Sequence, residues 1–205
     1  MDQQLEHRRA WEQVSLRYYL EQKNSLNPLR RWFHRKRYNL INKMVNKVYK
    51  EGMSIVDLGC GNCEWNTNKL PVIGIDYSNN MLSYAVKHGR LNNMIVGDIK
   101  ERHFEDNSID IIVITEVIEH IKDYPALLSG IYSMLKPNGI LIASVPYDTL
   151  FSVWKPIFKI QCFIQWNILR KLEYKNEAGH INHFSPMKLK NLLELNKFRV
   201  NNLFS

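Results

Sequence analysis

Two short stretches hold the residues whose types and spacing could do chemistry. The first, IVDLGCGNCEW at positions 55–65, contains Asp57, Gly59, Cys60, Gly61 and Cys63. Cys60-Gly-Asn-Cys63 has the spacing of a redox dithiol or of half a zinc site. Asp57-Leu-Gly59-Cys-Gly61 is also an apolar run entering a glycine loop, the usual cradle of a nucleotide-type cofactor. The second stretch, TEVIEHI at positions 115–121, offers Glu116, Glu119 and His120. On a helix these positions, i, i+3 and i+4, share one face. They could serve there as a base or as ligands of a hard divalent ion.

A redox dithiol opens a helix and has a lowered thiolate pKa. Here the glycine between the cysteines already belongs to the turn. A zinc site wants a second cysteine pair, and the chain has three cysteines in all. The glycine loop is therefore read as the working feature. A dinucleotide loop would place its third glycine at position 64, which is Glu64. Together with Asp57 this makes the loop acidic, which disfavours a pyrophosphate and suits a cationic or zwitterionic ligand. Asp76 closes the next apolar run, VIGID, where a carboxylate can take both hydroxyls of a ribose. S-adenosylmethionine meets these terms, because its ammonium and sulfonium are positive and it has no phosphate.

The elements that must position these residues follow from periodicity. Apolar runs at 54–58, 72–76, 93–96, 109–114 and 139–145 lack alternation, as strands covered on both faces do. Helical stretches lie between them, at Ser78 to His88 before Gly89 and at Tyr124 to Leu135 before Pro137. The expectation is a doubly wound α/β fold, a mostly parallel sheet with helices on both faces. Residues 5–50 are helical and basic, with Pro28 in the first turn of a second helix. A helix near 186–196 and a last strand, FRVNNLF, end the chain at Ser205.

These motifs resemble the class I S-adenosylmethionine-dependent methyltransferases over about residues 40 to 200. IVDLGCGNCEW stands for the first motif, VIGIDYSNNML for the second and IVGDI for the adenine-side motif. DIIVITEVIEHI and LKPNGILIASVP stand for the fourth and for the strand after it. The resemblance implies a Rossmann-like fold and a cofactor site of Asp57, Gly59, Cys60, Gly61, Asp76, Tyr77 and Thr115, with Asp98 and Ile99 flanking the adenine. Cys63 departs from the pattern where the family usually has its third glycine, so some distortion of the loop is expected. The resemblance divides the chain into basic N-terminal helices (1–50) that cover the cofactor, with Arg37 reaching its methionine carboxylate, and a methyltransferase domain (51–205). The family's seventh, antiparallel strand has no counterpart before Ser205, so the sheet lacks it or the protein is longer.

The E-V-x-E-H pattern also resembles ubiquinone-biosynthesis O-methyltransferases and small-RNA terminal-ribose methyltransferases. In the latter, glutamates and histidines bind magnesium. That resemblance gives three roles for the segment: a structural helix start, a metal-free base (His120, with Glu116), or a site for magnesium or manganese. The metal set would be Glu116, Glu119, His120 and a histidine of GHINHFS, His180 or His183.

Composition narrows the partners. A net charge of +8 and an isoelectric point near 9.3 suit anionic company such as phosphates, RNA or lipid headgroups. The cluster Arg30-Arg-Trp-Phe-His-Arg-Lys-Arg-Tyr38 could hold RNA by charge and stacking, or be a solvated helix face. An aromatic insertion at 147–175, with Phe151, Trp154, Phe158, Phe163 and Trp166, is read as core, as a lid over an apolar substrate or as an interfacial helix. No run of apolar residues is long enough to span a bilayer, and the polar start MDQQLEHRRAWEQ is unlike a signal peptide, so a cytoplasmic setting with peripheral membrane contact is expected. A small-molecule or lipid-like acceptor methylated on oxygen or nitrogen is favoured. The alternatives are an RNA methyltransferase and a non-catalytic S-adenosylmethionine-binding module.

Overall fold

Five strands, of which the central ones are almost wholly buried, set the architecture. The computed structural model describes residues 24–25, 28–146 and 181–203. The insertion at 147–175, His180 and residues 1–23 lie outside the described residues. The strands are β1 (Ile55–Leu58), β2 (Val72–Asp76), β3 (Asn93–Val96), β4 (Ile109–Thr115) and β5 (Leu135–Ser144). They form one sheet in the order β3-β2-β1-β4-β5. β1 pairs in parallel with both β2 and β4, and β2 pairs in parallel with β3. All four residues of β1 are buried, as expected of a central strand covered on both faces.

The helices are α1 (Pro28–Val48), α2 (Asn79–Lys87), α3 (Tyr124–Met134) and α4 (Pro186–Leu195), with a 3-10 turn at Ile118–His120. Their starts obey local chemistry. Pro28 opens α1, where a missing N–H costs nothing. The Ser78 hydroxyl accepts from the amide of Met81 and caps α2, and the Ser185 hydroxyl accepts from the amide of Lys188 and caps α4. Each cap is worth about 1 kcal/mol.

The chain divides into two compact units. One comprises Met1–Thr115 and Ser133–Ala143, the other Glu116–Tyr132 and Ser144–Ser205. The first unit's core joins Ile41 and Val45 of α1 to Ile55, Cys63, Trp65, Val72, Leu82, Leu91 and Ile111. Helix α1 thus packs into the same core as the strands. At the amino ends of β1 and β4, Asp110 accepts from the amide and hydroxyl of Ser54 (2.9 and 2.8 Å) and pairs with Lys136 (2.7 Å). That fastening sits at the opposite ends of the strands from the glycine loop. In the second unit, the side-chain amide of Asn182 donates to the carbonyl of Ile121 (2.7 Å), and Phe184 packs edge-on against Tyr124.

Two expectations change. FRVNNLF is not a strand over its described residues 198–203, because nothing there pairs with the sheet. TEVIEHI is not an α-helix either. Glu116 takes a left-handed backbone (φ 57°), and only Ile118–His120 form a 3-10 turn, so the shared i, i+3, i+4 face does not exist.

Gly74, in the middle of β2, marks the closest packing under the glycine loop. A Cβ there would lie 2.6 Å from both Cys60 Sγ and Leu91 Cδ1, and both residues are held in the core cluster. Gly74→Ala is expected to destabilise the fold by about 1–3 kcal/mol, the usual effect of an overpacked core. Urea unfolding followed by circular dichroism checks this. An unchanged midpoint would mean the loop yields freely.

Candidate cofactor site

Strand order 3-2-1-4-5 reverses direction between β1 and β4, and ligands of open parallel sheets bind beyond the carboxyl ends at such a switch point. β1 ends there in Asp57-Leu58 and runs directly into the glycine loop. Gly59 and Gly61 have left-handed backbones (φ 69° and 51°), which glycine adopts without strain. Cys63 follows at φ 46°, in the same left-handed region. A residue with a Cβ pays about 1–2 kcal/mol for that geometry. Its side chain is fully buried, and its thiol donates to Asp57 Oδ2 at 3.5 Å, which offsets part of the strain. The expected distortion is thus absorbed by one strained residue while the loop keeps its turn.

Asp76, at the end of β2, ties the loop to the sheet. The amide of Gly61 donates to its Oδ2 (2.8 Å) and the amide of Ser78 to its Oδ1 (2.9 Å). The amides of Gly59 and Cys60 both donate to the carbonyl of Ile75. One carboxylate thereby organises both the glycine loop and the start of α2.

Asp57 lies beneath this loop and is 1% exposed. Its Oδ2 accepts from the indole N–H of Trp65 (2.7 Å), while its Oδ1 is buried with no hydrogen-bond partner. Burial pushes its carboxyl up to about 7 against the two hydrogen bonds, and the neighbouring charge of Asp76 adds to the rise. Burial likewise raises Asp76, although the amides of Ser78, Gly61 and Tyr77 pull it back. A buried oxygen without a donor beside a second carboxylate is a place where positive charge is welcome. Among the residues expected to bind a cofactor, these features fit a cationic group.

Glu64 does not add to that negative field. It is buried, and its carboxylate pairs with Arg90 and accepts from the Asn62 side chain (3.1 Å). Arg90 also donates to the carbonyl of Asn62 (3.2 Å), so the pair closes the far side of the loop. The acidity read from Glu64 in the sequence is neutralised by a residue 26 positions away. The anionic character rests on Asp57 and Asp76.

Asp98 follows β3 and accepts from the amide of Lys100 (2.9 Å) and from the Tyr77 side chain. Burial pushes its carboxyl up, but these hydrogen bonds and the Lys100 ammonium outweigh it and hold the group below its ordinary value. Ile99 beside it is buried, and Thr115 at the end of β4 is half-buried. The Arg37 guanidinium lies over the Tyr38 ring and donates to its hydroxyl (3.3 Å). The thiols of Cys60 and Cys63 are pushed up by burial, the reverse of what a redox dithiol needs, and both are free.

The second stretch is arranged differently from its expectation. Glu116 accepts from the Ser144 hydroxyl (2.9 Å), and its amide donates to the Ser144 carbonyl (3.0 Å). Glu119 is buried, with an oxygen 3.8 Å from His120 Nε2, and its carbonyl accepts from the amides of Ile181 and Asn182. His183 is exposed, and its carbonyl accepts from Lys188 (2.8 Å). Among the described residues no three His, Cys, Asp or Glu side chains are grouped to hold a metal ion, so Glu116, Glu119, His120 and His183 do not form the expected metal set. The reason is the left-handed Glu116, which breaks the helical face that would have aligned them. Residues that sequence reasoning missed are Trp65, Arg90 and Ser144. Only Trp65 carried a local signal, as an aromatic residue inside a glycine loop.

Comparison with known proteins shows the family. The methyltransferase domain family matches residues 29–203, and the chain belongs to it, as a class I S-adenosylmethionine-dependent methyltransferase fold. The demethylmenaquinone methyltransferase of Staphylococcus haemolyticus is 26% identical over 147 residues. That match takes in 67% of this chain and 62% of the relative, so the chain spans under two thirds of that protein's length. A SAM-dependent methyltransferase of Thermotoga maritima shares the fold, with a TM-score of 0.61 at 23% identity over 87% of this chain and 79% of that one. Phosphoethanolamine N-methyltransferase 2 of Haemonchus contortus, solved with phosphomonomethylethanolamine and S-adenosylhomocysteine, is 26% identical with a TM-score of 0.56, over 77% of this chain and 36% of its own.

Asp57 sets a pH dependence with a definite sign. Its folded value of about 7 lies above the ordinary 3.8, so its contribution to stability is full below about pH 4 and is lost as pH rises through 7. Without ligand, Asp57→Asn should therefore gain on the wild type by a few kcal/mol between pH 4 and pH 8. Paired thermal melts across that range measure the gap. A gap that stays constant would show that Asp57 titrates normally.

Proposed function

We propose that this chain is an S-adenosylmethionine-dependent methyltransferase that transfers a methyl group to oxygen or nitrogen of a small or lipid-like acceptor. The observation that carries the reading is the unpartnered, buried Asp57 oxygen next to Asp76, at the sheet's switch point. The cofactor supplies a methyl group already activated on a positive sulfur. The work left to the protein is to hold, orient and dry the reacting groups.

Asp57 is too buried for direct contact, so its role is to lend negative potential through the floor of the loop. Asp76 keeps lone pairs for the ribose hydroxyls after accepting its two amides. Tyr77, Asp98 and Ile99 form the adenine side, and Gly59, Cys60 and Gly61 let the backbone come close. Thr115 closes the β4 end. Relatives named for demethylmenaquinone and phosphoethanolamine support an acceptor of quinone or amino-alcohol type. His120 is the base we assign, with buried Glu119 beside it to orient the imidazole and balance its charge. Glu116 is left with the Ser144 hydrogen bond, a positioning role.

Calorimetry with S-adenosylmethionine and S-adenosylhomocysteine tests the cofactor half. Asp76→Ala should weaken both by tenfold or more, the usual effect of losing a charged hydrogen-bond acceptor. The two ligands differ at sulfur, one a cation and the other neutral. As Asp57 ionises between pH 6 and 8, preference for the cation should rise on the order of tenfold, and Asp57→Asn should abolish that trend. A preference independent of pH in the wild type would remove Asp57 from the site.

Release of S-adenosylhomocysteine with quinol, phosphoethanolamine and RNA acceptors tests the catalytic half. With an accepted substrate, His120→Gln should lower kcat about 100-fold or more while S-adenosylhomocysteine affinity stays unchanged. Full activity in that variant would make the EVIEH segment structural. Cofactor binding without turnover on any acceptor would favour a binding module.

A further inference from the structure

Helix α1 spends one face on the core and presents a second, unusual face to solvent. Tyr38, Ile41, Val45 and Val48 recur at helical spacing and belong to the first unit's buried cluster. The opposite stripe holds Trp32, Lys36, Leu40, Lys43 and Lys47, with Phe33 beside Leu40. Trp32 is 56% exposed, Phe33 51% and Leu40 36%, and the three lysines are exposed as well. Lys36 lies over the Trp32 ring at 4.8 Å. The helix carries Lys or Arg at seven of its 21 positions and no Asp or Glu.

Large apolar side chains alternating with lysines on a solvent face have an energetic cost in water that needs a reason. Among the described residues, the packing of α1 on the core is supplied by its other face. We propose that this face docks on an anionic lipid surface, with Trp32, Phe33 and Leu40 entering the headgroup region and Lys36, Lys43 and Lys47 paired with lipid phosphates. The charge is complementary along the whole helix, since no acid interrupts it. Tryptophan suits the headgroup level, where its apolar body and N–H both find partners. Lysine stems lie along apolar surface while their ammonium groups stay in water. Leu40 gains from entering acyl chains but has no stacking surface to offer a base, so lipid fits the stripe better than single-stranded RNA.

No described helix is long and apolar enough to cross a membrane, so contact is with the surface. The side of α1 that packs inward shares its core with Cys63 and Trp65, and Asn42 donates to Thr67 and Asn68 (3.0 and 2.9 Å) just after the glycine loop. Docking would thus hold the cofactor loop at a fixed height above the lipid. The inference stands apart from the assignment of the reaction, since it needs only α1.

Flotation of the chain with vesicles tests it. Binding should be strong with vesicles containing phosphatidylglycerol, weak with phosphatidylcholine alone, and reduced by added salt. Changing Lys36, Lys43 and Lys47 together to Gln should weaken binding on the order of 100-fold, about fivefold per lysine. The double change Trp32→Ser and Phe33→Ser should also release the protein, while its melting temperature and its affinity for S-adenosylhomocysteine stay as in wild type. Brominated lipids should quench tryptophan fluorescence in wild type and lose part of that quenching in Trp32→Phe. Binding to phosphatidylcholine and anionic vesicles alike, insensitivity to these substitutions, or tight binding of single-stranded RNA through the same residues without vesicle binding would each overturn the proposal.

Discussion

Burying a carboxylate at the end of a central strand imposes requirements on everything packed around it. Asp57 cannot be solvated where it sits, so the chain above it must turn sharply and return donors toward it. Trp65 and Cys63 provide two, which is why the loop curls back over the strand rather than leaving the sheet. The second oxygen stays without a donor and leaves the site short of positive charge. Asp76 then fixes the same loop from the side, through the amides of Gly61 and Ser78. The geometry of the loop is therefore the consequence of two acids, one beneath and one beside it.

Parallel pairing makes this arrangement possible. β1 lies between β2 and β4 with all its residues buried, and its register with β2 places Leu58 opposite Ile75, next to Asp76. Both acids consequently end up at the carboxyl edge of adjacent strands. Gly74, one residue earlier than Ile75 in β2, leaves room for Cys60 and Leu91, so the loop can lie down on the sheet. The Glu64–Arg90 pair closes the loop's outer side and removes a charge that would otherwise compete with Asp57 and Asp76 for the ligand. The cost of a cysteine at φ 46° is accepted within this frame, because its thiol serves the buried acid.

The second unit follows a different logic. Its turn at Ile118–His120 is held by backbone hydrogen bonds from Ile181 and Asn182, and the side chain of Asn182 reaches the carbonyl of Ile121. Glu116 stands at a left-handed position tied to Ser144. Conserving such a backbone at a charged residue costs about 1–2 kcal/mol, which long-range hydrogen bonds must offset. Within that turn His120 and Glu119 remain adjacent, so an imidazole and a carboxylate stay paired even though the helix that would have aligned all three acidic and basic groups is absent.

The five strands, the helices over 78–88 and near 186–196 and the opening of α1 at Pro28 were legible in the sequence, because each rests on contacts within a few residues or on apolar runs. Asp57, Gly59, Gly61 and Asp76 were legible too, since strand ends in a parallel sheet converge by topology. The extent of β5, the absent strand over 198–203 and the fate of EVIEH were not. A helical spacing of acids and histidine describes what a helix would do; here Glu116 takes a left-handed backbone and bonds to Ser144, 28 residues away. Likewise Glu64 reads as part of an acidic loop until Arg90, 26 residues on, neutralises it. Local periodicity alone determined where this chain places its strands and its two acids. Only the tertiary structure decided which charges survive at the site, because that depends on partners distant in sequence that fold adjacent in space.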